Sequence, residues 1–360
     1  MNSDLIHVMR PRLATYKQLE PYLKRIDVNH IYSNHGPLVR ELEDSYANYF
    51  KIDAQLIVAV ANATLALQAL VANSNVDDWL VPDYTFTASG LAVLNTSKKL
   101  YLCDVQSSDW KINLDLIPKI YKGFGLLPVM PFGMPIDFES YSEYKHVVID
   151  AAASLGQSLP NFSKMKKEWA VVYSLHATKV LGAGEGALVI CGNLEMAENL
   201  RAWINFGFIN GRNSSLQGTN AKMSEIHAAY GLCSLTNIEI EMEEWMVAQE
   251  FVATSSIQNK WVSQINRKAT FQPYWIAQFE SKSQKEKIMT SLSTARIQSR
   301  EWWPTPLSAQ KAFLCSTKVG VLKNAEHLSS THLGLPMYRG ISNLAIERIM
   351  NTINSELSKN

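Results

Sequence analysis

Short apolar runs punctuate the first half of the chain: "LIVAVA" from Leu56, "WLVP" from Trp79, "KLYLCDV" from Lys99, "LLPVMP" from Leu126, "HVVIDA" from His146, "AVVYSL" from Ala170 and "GALVIC" from Gly186. Continuous rather than alternating apolar character marks strands buried on both faces, and the helical segments between several of them predict a largely parallel sheet. Ligands then belong at the carboxyl ends of the strands. A second period shows in "PLVRELEDSYANYF", where Leu38, Leu42, Tyr46 and Tyr49 share one face of a helix and the charges take the other. The stretch from Met223 to Thr254 reads as one or two long helices, and the change of pattern places a domain boundary near Thr236: residues 1–236 form a large domain and 237–360 a smaller α/β one. In the latter we expect a strand in "ATFQPYWIAQFE", a polar helix around Ser283 to Ser293, an aromatic and proline-rich segment "REWWPTPLSAQKAF" and a terminal helix from Ile341.

Composition narrows the function. The 360 residues are 47% hydrophobic, and 34 Lys+Arg against 33 Asp+Glu leave a net charge of +1, so no basic field exists to track nucleic acid. Cys103, Cys191, Cys233 and Cys315 are too widely spaced for a zinc or redox motif and read as free thiols in a reducing cytoplasm. The start has no continuous apolar segment, and the longest uncharged stretches are broken by Gly or Pro, so neither export nor a membrane span is expected.

Several strand ends carry chemistry. Asp150 closes "HVVID", where a buried carboxylate needs a cation or a protonated partner, although an N-cap role fits the same position. Asn62-Ala63-Thr64 closes "LIVAVA" and opens a helix, whose leading N–H groups suit a phosphate. Gly182, Gly184 and Gly186 lead into a strand, the reverse of a dinucleotide fingerprint, so a nicotinamide oxidoreductase ranks low and the glycines serve a tight turn beside Lys179. A lysine able to form an imine, a strand-end acid, a phosphate cradle with Ser174, and the aromatic-bearing "PDYTFTAS" match the needs of pyridoxal phosphate.

Eight segments in order, "YSNHGPLVRELE", "ANATLALQAL", "VPDYTFTAS", "VIDAAASLG", "SLHATKVLGAGEG", "GTNAKMSEIHAAYGL", "WWPTPLSAQKAF" and "LPMYRGIS", resemble the DegT/DnrJ/EryC1/StrS family of nucleotide-sugar aminotransferases. The resemblance implies fold type I, the aspartate-aminotransferase-like architecture, with a mostly parallel seven-stranded sheet and a small C-terminal domain. It makes Lys179 the covalent anchor and proton carrier, Asp150 the partner of the pyridine nitrogen, and Phe86 the stacking aromatic. Ala63, Thr64 and Ser174 would hold the phosphate, joined by Asn220 from the neighbouring subunit of a homodimer. His176 would pack beside the anchor. The expected reaction moves an amino group from glutamate, through the pyridoxamine form, to a dTDP- or UDP-linked keto-6-deoxy sugar, for O-antigen, capsule or a related glycan. Arg212 and Lys222 are candidates for diphosphate contacts. Three positions depart from the family pattern: Ala63, where Gly is often found, Ala153, where Gln or His is usual, and Ser308, where many members have His. A non-catalytic, regulatory protein that keeps the cofactor is the alternative.

Overall fold

The computed structural model describes residues 5–256, 261–263 and 273–359. Helices α1 (Tyr16–Asn29) and α2 (Pro37–Phe50) precede strand β1 (Ile57–Val60). Then follow α3 (Ala63–Ala72), β2 (Asp78–Pro82), α4 (Thr87–Leu94), β3 (Lys99–Cys103), β4 (Gly125–Leu126), β5 (Val147–Asp150), β6 (Trp169–Ser174), β7 (Ala187–Cys191) and α5 (Leu194–Trp203). Two consecutive helices, α6 (Glu225–Thr236) and α7 (Ile238–Ser256), lead to β8 (Val262–Ser263), β9 (Trp275–Gln278), α8 (Lys282–Thr294), β10 (Thr317–Val319), α9 (Lys323–Thr331), β11 (His332–Leu335) and α10 (Asn343–Leu357). Residues 269–272 of the expected strand "ATFQPYWIAQFE" lie outside the described residues.

The large sheet has the order β1-β7-β6-β5-β4-β2-β3-β10, and every neighbouring pair is parallel except the two that involve β7. It has eight strands, not the seven expected. The extra one is β10, which pairs with β3 at the edge; Thr317 and Lys318 are exposed and only Val319 is buried, so no apolar run announces it. Strand β4 takes only Leu126 from the "LLPVMP" run; beyond Pro128, which has no N–H, the run rejoins the sheet as a single parallel bridge between Val129 and Asp150.

Alternation along each strand splits the core in two. Ile57, Ala59, Val147, Ile149, Val171 and Tyr173 join one cluster, and Val58, Val60, Val148, Ala170 and Val172 the other, one on each face of the sheet. Each fully buried Val or Ile contributes about 1.5–3 kcal/mol relative to exposure. Both faces being apolar explains the continuous rather than alternating pattern in the sequence. A second sheet, β11-β9-β8, is antiparallel; helices α8 and α10 pack on each other, and their Ile288, Leu292, Ile346 and Ile349 share a core cluster with Trp275, Ala277 and Leu333 of the sheet.

Helix α2 departs from the simple two-sided picture. Glu43 on its buried side accepts the Ala59 N–H at 2.8 Å and pairs with Arg201, while Tyr49 is only partly buried. Its amino end is capped from afar: the buried carboxylate of Glu225 accepts the N–H groups of Leu38 and Val39 at 2.8 and 3.0 Å. This carboxylate also suits the helix dipole.

Candidate active site

Strand register sets the site. Ala187, the first residue of β7, pairs with Val60, the last residue but one before Asn62, and with Ser174, the last residue of β6. Asp150 at the end of β5 pairs with Val172, so it sits one strand over and two residues back. The α3 start, the Ser174 hydroxyl and the acid are thus gathered at the carboxyl ends of β1, β6 and β5.

The α3 start supplies the cradle. The Asn62 side chain accepts from the Leu65 N–H at 2.9 Å, while the N–H groups of Ala63 and Thr64 find no acceptor among the described residues. Ala63 lies in the helix with negative φ, so its methyl costs nothing there. Ser174 Oγ accepts from the His176 N–H at 3.2 Å and keeps its own hydrogen to donate.

Lys179 rides on a loop closed by its own backbone: Leu175 N–H donates to Gly186 O, Ala177 N–H to Gly184 O, and Lys179 N–H to His176 O, at 2.8–2.9 Å. Gly184 has φ +88°, which a side chain resists, and this is the tight turn read from the glycines. Helix α6 clamps the loop through Ser234, whose hydroxyl donates to Gly182 O at 2.8 Å. His176 turns to Thr178, accepting its N–H at 3.2 Å through Nδ1, with the Thr178 hydroxyl 2.8 Å from the same nitrogen. The Lys179 ammonium itself donates to the Tyr274 hydroxyl at 3.1 Å.

Asp150 is 6% exposed. Its carboxylate accepts from Ser89 Oγ at 2.7 Å and from the Ala152 N–H at 3.1 Å. Burial pushes the carboxyl above the usual carboxylate range; those two hydrogen bonds and the charge of Lys179 oppose the shift. Among the described residues no cation forms an ion pair with it. The N-cap alternative does not hold, because no helix follows β5: the next element is a short 3-10 turn at Phe162–Lys164.

Phe86 precedes the first residue of α4 and is 58% exposed, while Ser89, one turn on, points down to Asp150. Asn220 lies in a segment that pairs back on Asn205, followed by Lys222 beside Val60 at the end of β1. Asn220 is exposed, Lys222 is half-buried with its ammonium 4.5 Å from the Phe206 ring centroid, and Arg212 is exposed. Ser308 is not in this group. It is buried, its N–H and hydroxyl donating to Asp83 at 2.6 and 2.8 Å, and with the Leu307 N–H on Asp83 O it ties the C-terminal segment to the end of β2.

Two residues escaped the sequence reading. Ser89 stood inside "PDYTFTAS", three positions past Phe86 at a helix start, and that spacing was its signal. Tyr274 had none, since it arrives from the second sheet.

These donors fit pyridoxal phosphate. A lysine amine on a rigid loop suits its aldehyde, a buried carboxylate with only neutral hydrogen-bond donors suits a protonated ring nitrogen, and unused N–H groups with a hydroxyl suit its phosphate. The fold and the site define a fold type I, pyridoxal-phosphate-dependent aminotransferase. The chain belongs to the DegT/DnrJ/EryC1/StrS aminotransferase family, which it matches over residues 15–354. It is 27% identical to the dTDP-4-amino-4,6-dideoxy-D-glucose transaminase of Shigella dysenteriae, over 97% of this chain and 98% of that protein. Its fold is similar to that of DesI, solved in the presence of its TDP-sugar product, at a TM-score of 0.86 and 23% identity over 99% of this chain and 95% of DesI. It is also similar to a DegT/DnrJ/EryC1/StrS aminotransferase of Brucella abortus, at a TM-score of 0.83 and 22% identity over 94% and 95%. No helix among the described residues is long and apolar enough to cross a membrane, and no group of His, Cys, Asp or Glu among them is placed to hold a metal.

Proposed function

We propose that the enzyme transfers an amino group from glutamate to a dTDP- or UDP-linked keto-6-deoxy sugar, giving an amino sugar for O-antigen, capsule or a related glycan, and that it works in the cytoplasm as a homodimer. The observation that carries the reaction class is Lys179 on its clamped loop beside the buried Asp150. The sugar-nucleotide class is supported by the full-length similarity to the Shigella transaminase.

Pyridoxal phosphate, when bound, supplies the aldehyde that takes the amino group and a ring that accepts the electron pair of the deprotonated carbon. The protein does the rest. Lys179 would anchor the cofactor, and its free amine would move the proton at the substrate carbon. Asp150 holds the proton at the ring nitrogen, aided by Ser89. The N–H groups of Ala63 and Thr64 and the hydroxyls of Thr64 and Ser174 bind the phosphate, with the partner subunit's Asn220. Phe86 offers its exposed ring as a face for the pyridine. Arg212 and Lys222 would contact the diphosphate of the sugar nucleotide.

The test is spectroscopic. Glutamate should bleach the yellow band of the loaded protein, and a nucleotide keto-sugar should restore it, with the position of the new amine read by NMR. A protein that stays colourless with added pyridoxal phosphate would sink the reading; one that is yellow but inert to glutamate would sink the donor. An obligate monomer with full activity would remove the shared Asn220.

A further inference from the structure

Tyr274 stands immediately before β9, in the second sheet, and is 95 residues along the chain from Lys179. Its hydroxyl oxygen accepts from the Lys179 ammonium at 3.1 Å, and the ammonium lies 5.6 Å from its ring centroid. The ring is 8% exposed and edge-packed between Phe132, at 5.6 Å and 62°, and Trp302, at 5.3 Å and 89°. A phenol held by aromatic edges on two sides has little freedom to turn away, so the contact is set by packing and not by the lysine's own flexibility. Ala153 lies nearby. A Cβ on Gly133 would stand 2.8 Å from the Ala153 carbonyl oxygen and 3.0 Å from the Pro273 ring, so the residue before Tyr274 and the residue that lacks a polar side chain both crowd one glycine. Gly133 has φ +92° and permits this approach.

We propose that Tyr274 is the positioning residue of Lys179: it holds the amine at the carboxyl edge of the sheet through a hydrogen bond whose acceptor is fixed by aromatic packing. The phenol's own hydrogen has no acceptor among the described residues, so the hydroxyl accepts from Lys179 while remaining able to donate to whatever is bound against it. This rests on Lys179 being the cofactor anchor. The role is distinct from anchoring, because Tyr274 forms no covalent bond and moves no proton off its own oxygen.

The test uses Tyr274→Phe beside the native enzyme, with three readouts. Borohydride treatment followed by denaturation shows whether pyridoxal phosphate is anchored. In cofactor-free protein, the rate at which an acylating reagent labels Lys179, read by peptide mass spectrometry, reports how firmly the amine is held by its partner. Steady-state kinetics separate kcat from KM. We expect anchoring to persist, labelling to become about two- to tenfold faster as the ammonium loses its acceptor, and kcat to fall while KM for the nucleotide sugar stays unchanged. Should the variant fold poorly, 3-fluorotyrosine at position 274, labelled at neutral or lower pH where the fluorophenol is un-ionised, keeps the packing and weakens the acceptor, and it should raise the labelling rate part of the way. An unmoved labelling rate with native kcat overturns the role of Tyr274 and leaves Lys179 as anchor. Absence of anchoring in the native enzyme overturns both.

Discussion

The Ser89 hydroxyl donates a 2.7 Å hydrogen bond to the buried carboxylate of Asp150, across 61 residues of sequence. Its other neighbour is the Thr85 hydroxyl at 3.0 Å, so a short chain of hydroxyls backs the acid. The bond favours the ionised form, the one that can hold a proton on a ring nitrogen. Ser89→Ala should therefore make Asp150 easier to protonate, moving the acid limb of the pH–kcat profile up by about one unit. A limb that stays in place would show that Ser89 only fills space.

On the proposed assignment, Lys179 anchors the cofactor and Asp150 activates it. Lys179→Ala should leave no pyridoxal phosphate on the chain after borohydride and denaturation, with kcat down by about 10² to 10⁴ or more. Asp150→Asn should keep the cofactor anchored yet lose a comparable factor in kcat, since an amide cannot hold the ring nitrogen protonated. Native turnover in Asp150→Asn would refute the acid's assignment.

At Ser308 the prediction runs against the family pattern. Both carboxylate oxygens of Asp83 accept from this one residue in a dry position. Ser308→Ala removes one donor to a buried carboxylate and should cost about 1.5–3 kcal/mol in urea unfolding of the cofactor-free protein. Ser308→His, the residue that the resemblance leads one to expect, should cost more, because the imidazole overfills a packed site. A histidine variant as stable as the native chain would mean the segment can rearrange.

His332 gives the chain an acid liability. It is buried, its Nδ1 lies 2.7 Å from the Tyr84 hydroxyl, and its ring meets Trp110 at 4.4 Å between centroids. Burial, with His327 and Lys285 adding to it, holds its value down to about 3. The folded chain keeps it neutral while the unfolded chain protonates it below about 6.5, so its contribution is complete above that pH and is lost as the pH falls. Between pH 6.5 and 5 this amounts to roughly 2 kcal/mol. Chemical denaturation at the two pH values should show a smaller loss in His332→Gln by about that amount; equal losses would place the acid sensitivity elsewhere.

By itself the sequence determined the doubly covered, largely parallel sheet, because burial on two faces writes continuous apolar runs, and it marked Asp150, Ser174, Lys179 and the α3 start because each ends or follows such a run. Local chemistry was enough for these: a strand end, a helix start and a glycine turn are set within a few residues. The tertiary structure decided what depended on distant segments meeting. Strand β10 joined the large sheet through ladder bonds to β3, which any residue with a free N–H and C=O can make and which leave no side-chain signature. Glu225 became a cap for α2, Ser308 a tie to Asp83, and Tyr274 a partner of Lys179, each across roughly a hundred residues or more. A buried polar group must find its complement wherever packing brings one, and only the fold fixes which residue that is.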